Sequence, residues 1–198
     1  MSDSQKLAVI PTIKEGITIG TKNIGPILVN LLLWVLTCWI PYLNVGTTIG
    51  LFVGIVSKAS KGEVIPMTEI FDPKYRKYIG EYFLTAGLIG IGVFVGTAFF
   101  IIPGIVISFA WSLAILLVID KGKNPTEALV MSNNCTYGYK GKMFGIYFLV
   151  CLAVGILGGV FALIPVLGII LAVLLSLFSM FVTIGIQASI YKQLTENI

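Results

Sequence analysis

Chemistry at a protein site needs a positioned acid, base, nucleophile or metal ligand, and this chain supplies few. There is no histidine, and Cys38, Cys135 and Cys151 are odd in number and irregularly spaced. That pattern fits neither a metal site nor a dithiol motif, so no cofactor is expected. Long stretches carry no Asp, Glu, Lys or Arg: Asn23–Ser57 (35 residues), Tyr82–Ile119 (38 residues) and Met143–Tyr191 (49 residues). Intramembrane ionisable groups are the usual mark of proton relays and ion paths. Without them the expectation is a non-enzymatic protein. What remains is uncharged polarity. Ser176, Ser179, Thr183 and Gln187 follow helical steps and share one face. With Asn30 they are the candidates for a polar path through a bundle.

The composition explains why charge is so sparse. Hydrophobic residues make up 57% of the chain and charged residues 11%, against about 25% charged in a soluble domain. Such a chain belongs in lipid. Each charge-free run exceeds or doubles the ~20 residues that one helix needs to cross a bilayer. Ile-Pro stands at Ile40-Pro41, Ile102-Pro103 and Ile164-Pro165, at intervals of 62 residues. Proline removes a backbone donor and disfavours helix at the preceding residue. Each run therefore reads as a helical hairpin with Ile-Pro at its tip.

The 13 Lys and Arg avoid those tips. Lys6, Lys14 and Lys22 precede the first hairpin. Lys58, Lys61, Lys74, Arg76 and Lys77 follow it. Lys121, Lys123, Lys140 and Lys142 follow the second, and Lys192 closes the third. Positive residues are retained in the cytoplasm. Both termini and both linkers are expected there, in a cell's inner membrane, with the tips opposite. Lys6, Lys14, Glu15 and Lys22 interrupt any apolar signal-peptide region. The net charge of +4 suits orientation and anionic headgroups better than nucleic acid. Lys74, Arg76, Lys77, Lys140 and Lys142 are the candidates for headgroup contacts. Membrane lipids, a membrane-protein partner or a second copy are the expected partners.

These signals predict an all-α polytopic bundle of six transmembrane helices. It forms one domain, 1–198, built from three parallel hairpin units at about 7–62, 63–122 and 123–198. Short amphipathic helices lie on the cytoplasmic-side interface. Leu7, Ile10, Ile13 and Ile17 mark the first of them, beginning near Pro11. Gly16 lies in that segment and is expected to tolerate a side chain. The first hairpin's arms are expected at Ile24–Ile40 and Tyr42–Ser57. The segment from Asp72 to Tyr78 is expected at a lipid surface. Asn124, Pro125 and Glu127 supply an N-cap, a first-turn proline and an acidic first turn for a later helix. Glu81 and Asp120 are assigned to cytoplasmic helix ends. Gly46, Gly50 and Gly54, then Gly92 and Gly96, then Gly155 and Gly159, are expected to let other helices approach closely. Gly-x-Tyr-Phe-Leu opens two of the hairpins, at Gly80 and Gly145.

The stretch from Ile102 to Phe148 resembles a broad class of bacterial and archaeal multi-pass proteins. That class includes the membrane domain attached to some glycerophosphodiester phosphodiesterases. The matching positions are Pro103, Gly104, Trp111, Ser112, Ala128, Leu129, Ser132, Thr136 and Gly138, while Asn133 stands where a Trp is common. The resemblance implies a six-span membrane domain; it does not imply phosphodiesterase activity, because no soluble catalytic domain is present. The function expected is a scaffold, assembly or lipid-organising module. The alternative is a transporter of lipid or small molecules.

Overall fold

The computed structural model describes residues 7–164 and 166–196. Among them the regular structure is all helical. Helix α1 (Val9–Lys22) meets α2 (Ile24–Thr37) at a 68° bend. Then come α3 (Pro41–Ile49), a π-helical segment Gly50–Gly54 and α4 (Ile55–Lys61), which run on as one span. The first linker holds a 3-10 turn (Glu69–Phe71) and the short α5 (Lys74–Lys77). Helices α6 (Ile79–Phe99), α7 (Ile101–Ala110) and α8 (Ala114–Lys121) follow, then α9 (Pro125–Thr136), α10 (Lys140–Ala162) and α11 (Leu167–Thr195).

Among the described residues, five helical stretches are long and apolar enough to cross a membrane: Pro41–Lys61, Ile79–Phe99, Ile101–Lys121, Lys140–Ala162 and Leu167–Thr195. The bent pair α1–α2 makes a sixth if counted as one span. The first hairpin thus departs from expectation. Its first arm ends at Thr37, and its 14 residues reach only ~21 Å at 1.5 Å per residue, short of the ~30 Å hydrocarbon core.

The helix ends follow local rules. Asn124 caps α9, its side chain accepting the Thr126 N–H at 3.2 Å, with Pro125 in the first turn. Helices α4 and α8 both end on a left-handed glycine, Gly62 (φ 70°) and Gly122 (φ 62°), the conformation glycine adopts without a Cβ penalty. Pro41 opens α3 after an extended Ile40. At the second tip the break lies earlier than the proline rule predicts. Phe100 is the extended residue (φ −160°, ψ 149°), and Pro103 is the third residue of α7. The first turn tolerates it because its N–H has no intrahelical acceptor there. Pro165, expected at the third tip, lies outside the described residues.

The packed core sits at the charged end. It gathers Ile55, Leu117, Ile186, Ile190 and Tyr191 from α4, α8 and the last half of α11, with Leu113 just before α8. Towards the tips the bundle opens. Trp39, Phe100 and Leu163 are exposed there, and the first half of α11 is unburied but for Gly168. Helices α6 and α10 turn apolar side chains outward along most of their length.

Helix α1 is the largest correction. Of its apolar edge Ile10 and Ile17 stay outward, and the helix docks through its small residues, with Thr12, Gly16 and Gly20 buried against α11. A Cβ on Gly16 would stand 2.8 Å from the Ile186 backbone, and one on Gly20 would meet the Phe181 carbonyl. Gly185 faces Gly16 from the other side. Dispersion between close backbones favours the small face, whereas Ile10 and Ile17 remain outward, as comfortable in lipid as in protein.

Candidate functional site

Two buried carboxylates organise the charged end. Glu69, 2% exposed, lies on the 3-10 turn of the first linker. It accepts from Lys58 Nζ at 2.7 Å, from Lys74 Nζ at 3.3 Å and from the Tyr75 hydroxyl. Asp120, its side chain 7% exposed, ends α8. It accepts from Lys61 Nζ at 2.5 Å, Tyr191 Oη at 2.9 Å and the Ser57 hydroxyl. Ser57, Lys58 and Lys61 share the last turns of α4, and Tyr191 stands on α11. The Asp120 contacts therefore join α4, α8 and α11. A cleft of about 240 Å³, lined in part by Ser57, Lys58, Lys61, Lys74 and Tyr75, opens onto it.

The glycine stripe makes this network possible. Gly46, Gly50 and Gly54 do not receive another hairpin; they receive the charged linker. Sites for a Cβ on them would meet Arg76, the Ile70 backbone and the Tyr75 ring and hydroxyl, respectively. Tyr75 is thus fully buried and not at a lipid surface. The π-helical turn lies in the same stretch, a feature that often accompanies functional sites. Asn30, buried on α2, completes the clamp. Its amide donates to Pro66 O at 2.8 Å and Pro26 O at 2.9 Å, and its oxygen accepts the Ile70 N–H at 3.1 Å. These bonds bind the linker to α2 and do not place Asn30 in a path with α11.

The protonation states are held firmly here. Burial, then the Glu69 hydrogen bond and the charges of nearby carboxylates, push the Tyr75 phenol far up, so it is a neutral donor. Burial alone would discharge Lys74, but Asp72 and Glu69 outweigh it and hold the ammonium above its usual range. For Asp72, burial is likewise outweighed by hydrogen bonds from the Lys74 backbone and ammonium, which keep its carboxyl low. The arrangement locks ions in place rather than poising a group to exchange protons near neutrality.

The remaining polar candidates have separate places. Ser176, Ser179 and Thr183 donate back to Val173 O, Ser176 O and Ser179 O at 2.7–2.8 Å. Ser176 and Thr183 are exposed. Gln187 accepts from the Tyr147 hydroxyl and donates to Ser112 O at 3.4 Å. Ser179, Thr183 and Gln187 line an open cleft of about 380 Å³ against Phe52 and Val56 of the first hairpin. Gly92 faces Trp111 and Gly96 faces Gly104, both within the second hairpin. Gly155 and Gly159 face open space, because α10 turns that side away from the chain. Lys77 lies 6.0 Å from the Tyr78 ring and Lys142 5.4 Å from Tyr139, while Lys140 bonds Asn133 Oδ1 at 2.9 Å.

A further polar constellation lies between α7 and α8. The chain unwinds between Ala110 and Ala114, which frees backbone groups inside an apolar span. Ser132 on α9 donates to Ala110 O at 2.7 Å and accepts the Leu113 N–H at 3.2 Å. Thr136 also donates to Ala110 O, at 3.3 Å. A Ser and a Thr four residues apart on the Ala128–Leu129 face of α9 were the available signal.

Comparison with known families, curated proteins and solved structures finds no match to this chain. Its class is what the fold defines: among the described residues an all-helical protein with five helices, or six with the bent pair, fit by length and composition to cross a membrane.

Proposed function

We propose that this is a non-enzymatic, multi-pass protein of the inner membrane that organises lipid or scaffolds an assembly, with both termini cytoplasmic. The observation that carries the reading is the division of the molecule into a locked polar end and a splayed apolar end. At the first, ions are paired, and Asp120 links α4, α8 and α11. At the second, tips and the outer faces of α6 and α10 offer apolar side chains to surrounding chains. The three hairpins form parallel units about an axis along the membrane normal. The shared Lys-Gly endings of α4 and α8, Lys61-Gly62 and Lys121-Gly122, support the first two units.

The test is reconstitution of the full chain in vesicles containing a labelled anionic phospholipid. The expected result is enrichment and ordering of that lipid around the protein with no added flux of small solutes. The open cleft at Ser179, Thr183 and Gln187, beside the π-helical turn, favours a second reading as a transporter. Solute flux that Thr183→Leu abolishes would select it. Orientation is tested in a chain whose own cysteines are replaced by serine. A cysteine at Phe100 should be labelled from outside the cell, and one at Lys123 should not.

A further inference from the structure

A groove of about 590 Å³ runs between α6, α7, α9 and α10, within the range of about 300–1,000 Å³ typical of small-molecule sites. Its wall is apolar over Leu88, Val106, Ile107, Trp111, Leu129 and Val130. Its polar residues, Thr126, Asn133 and Lys140, come from α9 and the first residue of α10. The polarity is graded along the bundle. Lys140 opens α10 at the charged end, and the Tyr78 hydroxyl near Gly122 sets the start of α6 level with the end of α8. Leu88 lies nine residues into α6, about 13 Å deep at 1.5 Å per residue. One leaflet's hydrocarbon is about 15 Å thick. An amphiphile lying along this groove would therefore place its head at Lys140 and its chain against Trp111, Ile107 and Val106.

We propose that the groove holds one acyl chain of an anionic phospholipid whose phosphate sits at Lys140. The inference rests on the lipid-organising reading and names its site. Lys140 carries three donors. One is fixed by Asn133 Oδ1 at 2.9 Å, which aims the ammonium at the mouth of the groove. The floor is rigid because the Trp111 ring is seated on Gly92, where any Cβ would collide with it. The Ser132 and Thr136 bonds to Ala110 hold the unwound turn beside Trp111 in place, so the groove is preformed.

The experiment uses the full chain in phosphatidylcholine vesicles with chain-labelled phosphatidylglycerol or phosphatidylcholine, reading the immobilised fraction by spin resonance. Wild type should prefer phosphatidylglycerol. Lys140→Gln should cut that preference about fivefold, the value of one lysine near an anionic surface. Val130→Trp, at an exposed position on the groove wall, should release both labels, and Lys192→Gln should change neither. Helicity and elution volume verify that each variant is folded. If Lys140→Gln and Val130→Trp keep the wild-type preference, the lipid binds elsewhere and the site fails while the lipid-organising reading survives. If wild type shows no preference, both fail. A dimer that Val130→Trp dissociates would mean a second copy fills the groove and would overturn the proposal.

Discussion

The hydroxyl of Tyr75 occupies the space that a Cβ on Gly54 would fill. From there it donates to the buried Glu69 carboxylate. A bare backbone on one helix thus determines where a linker tyrosine can reach a charge. Gly54→Ala should displace the phenol and lower stability by about 1–3 kcal/mol, the usual cost of overpacking. Gly155→Ala, facing open space, should change little. Thermal melting of both variants in detergent measures the contrast, and equal losses would remove Gly54 from this role.

Gly16 offers a second contrast. It faces Ile186 and Gly185 across the α1–α11 contact, although its segment reads as interfacial in sequence. Gly16→Leu should destabilise the protein at least as much as Gly92→Leu, by roughly 1–3 kcal/mol or more where neither backbone can yield. It should also free α1 to proteolysis. A variant that melts with wild type would return α1 to a loose surface helix.

The unwound turn after Ala110 depends on α9. Ser132→Ala leaves the Leu113 N–H and one Ala110 bond unmatched, which costs about 1–3 kcal/mol for a buried group. The Leu113 amide should then exchange hydrogen faster than in wild type. Ser132→Thr, which retains the hydroxyl, should exchange more slowly than Ser132→Ala. Unchanged exchange in both would show that the turn is held by packing alone.

The linker's pairs set a pH window. Asp72 is held below its ordinary value of 3.8, so its contribution is present above that pH and lost as pH falls through the folded value. Lys74 is held above 10.5, so its contribution is present below that pH and lost as pH rises through the folded value. Both side chains are a third or more exposed, and solvent screening keeps each effect under about 1 kcal/mol. Tyr75 matters more, because it is buried and held neutral well above the ordinary 10.0. Its support is complete below pH 10 and lost above it. Melting temperature should be flat between these limits and fall on the alkaline side. Tyr75→Phe should lower the plateau and shrink the alkaline fall; an undiminished fall would assign it to another group.

Much of the architecture was legible because transfer to lipid depends on composition and length. Charge-free runs locate the spans from Pro41 to Thr195, and the Asn124-Pro125 start of α9 follows from capping chemistry. The glycines of the second hairpin were also readable, since Gly92 and Gly96 meet Trp111 and Gly104 within one short hairpin. The partner of the first stripe was not. Gly46, Gly50 and Gly54 admit any close neighbour, and nothing in their spacing tells a helix from the linker that carries Ile70, Tyr75 and Arg76.

The sequence by itself determined which segments are long and apolar enough to suit lipid, and that Lys and Arg avoid the Ile-Pro positions between them. Tertiary structure decided which faces meet. In water an apolar edge must dock, but in lipid it gains little by doing so, and close backbone packing chooses instead. That is why α1 docks through Thr12, Gly16 and Gly20 while Ile10 and Ile17 stay outward. Gly155 and Gly159, by contrast, give α10 a small face that no described neighbour occupies. Pairing of Asp120 with Lys61 of α4 and Tyr191 of α11 likewise joins segments far apart in sequence, a relation that no local pattern encodes.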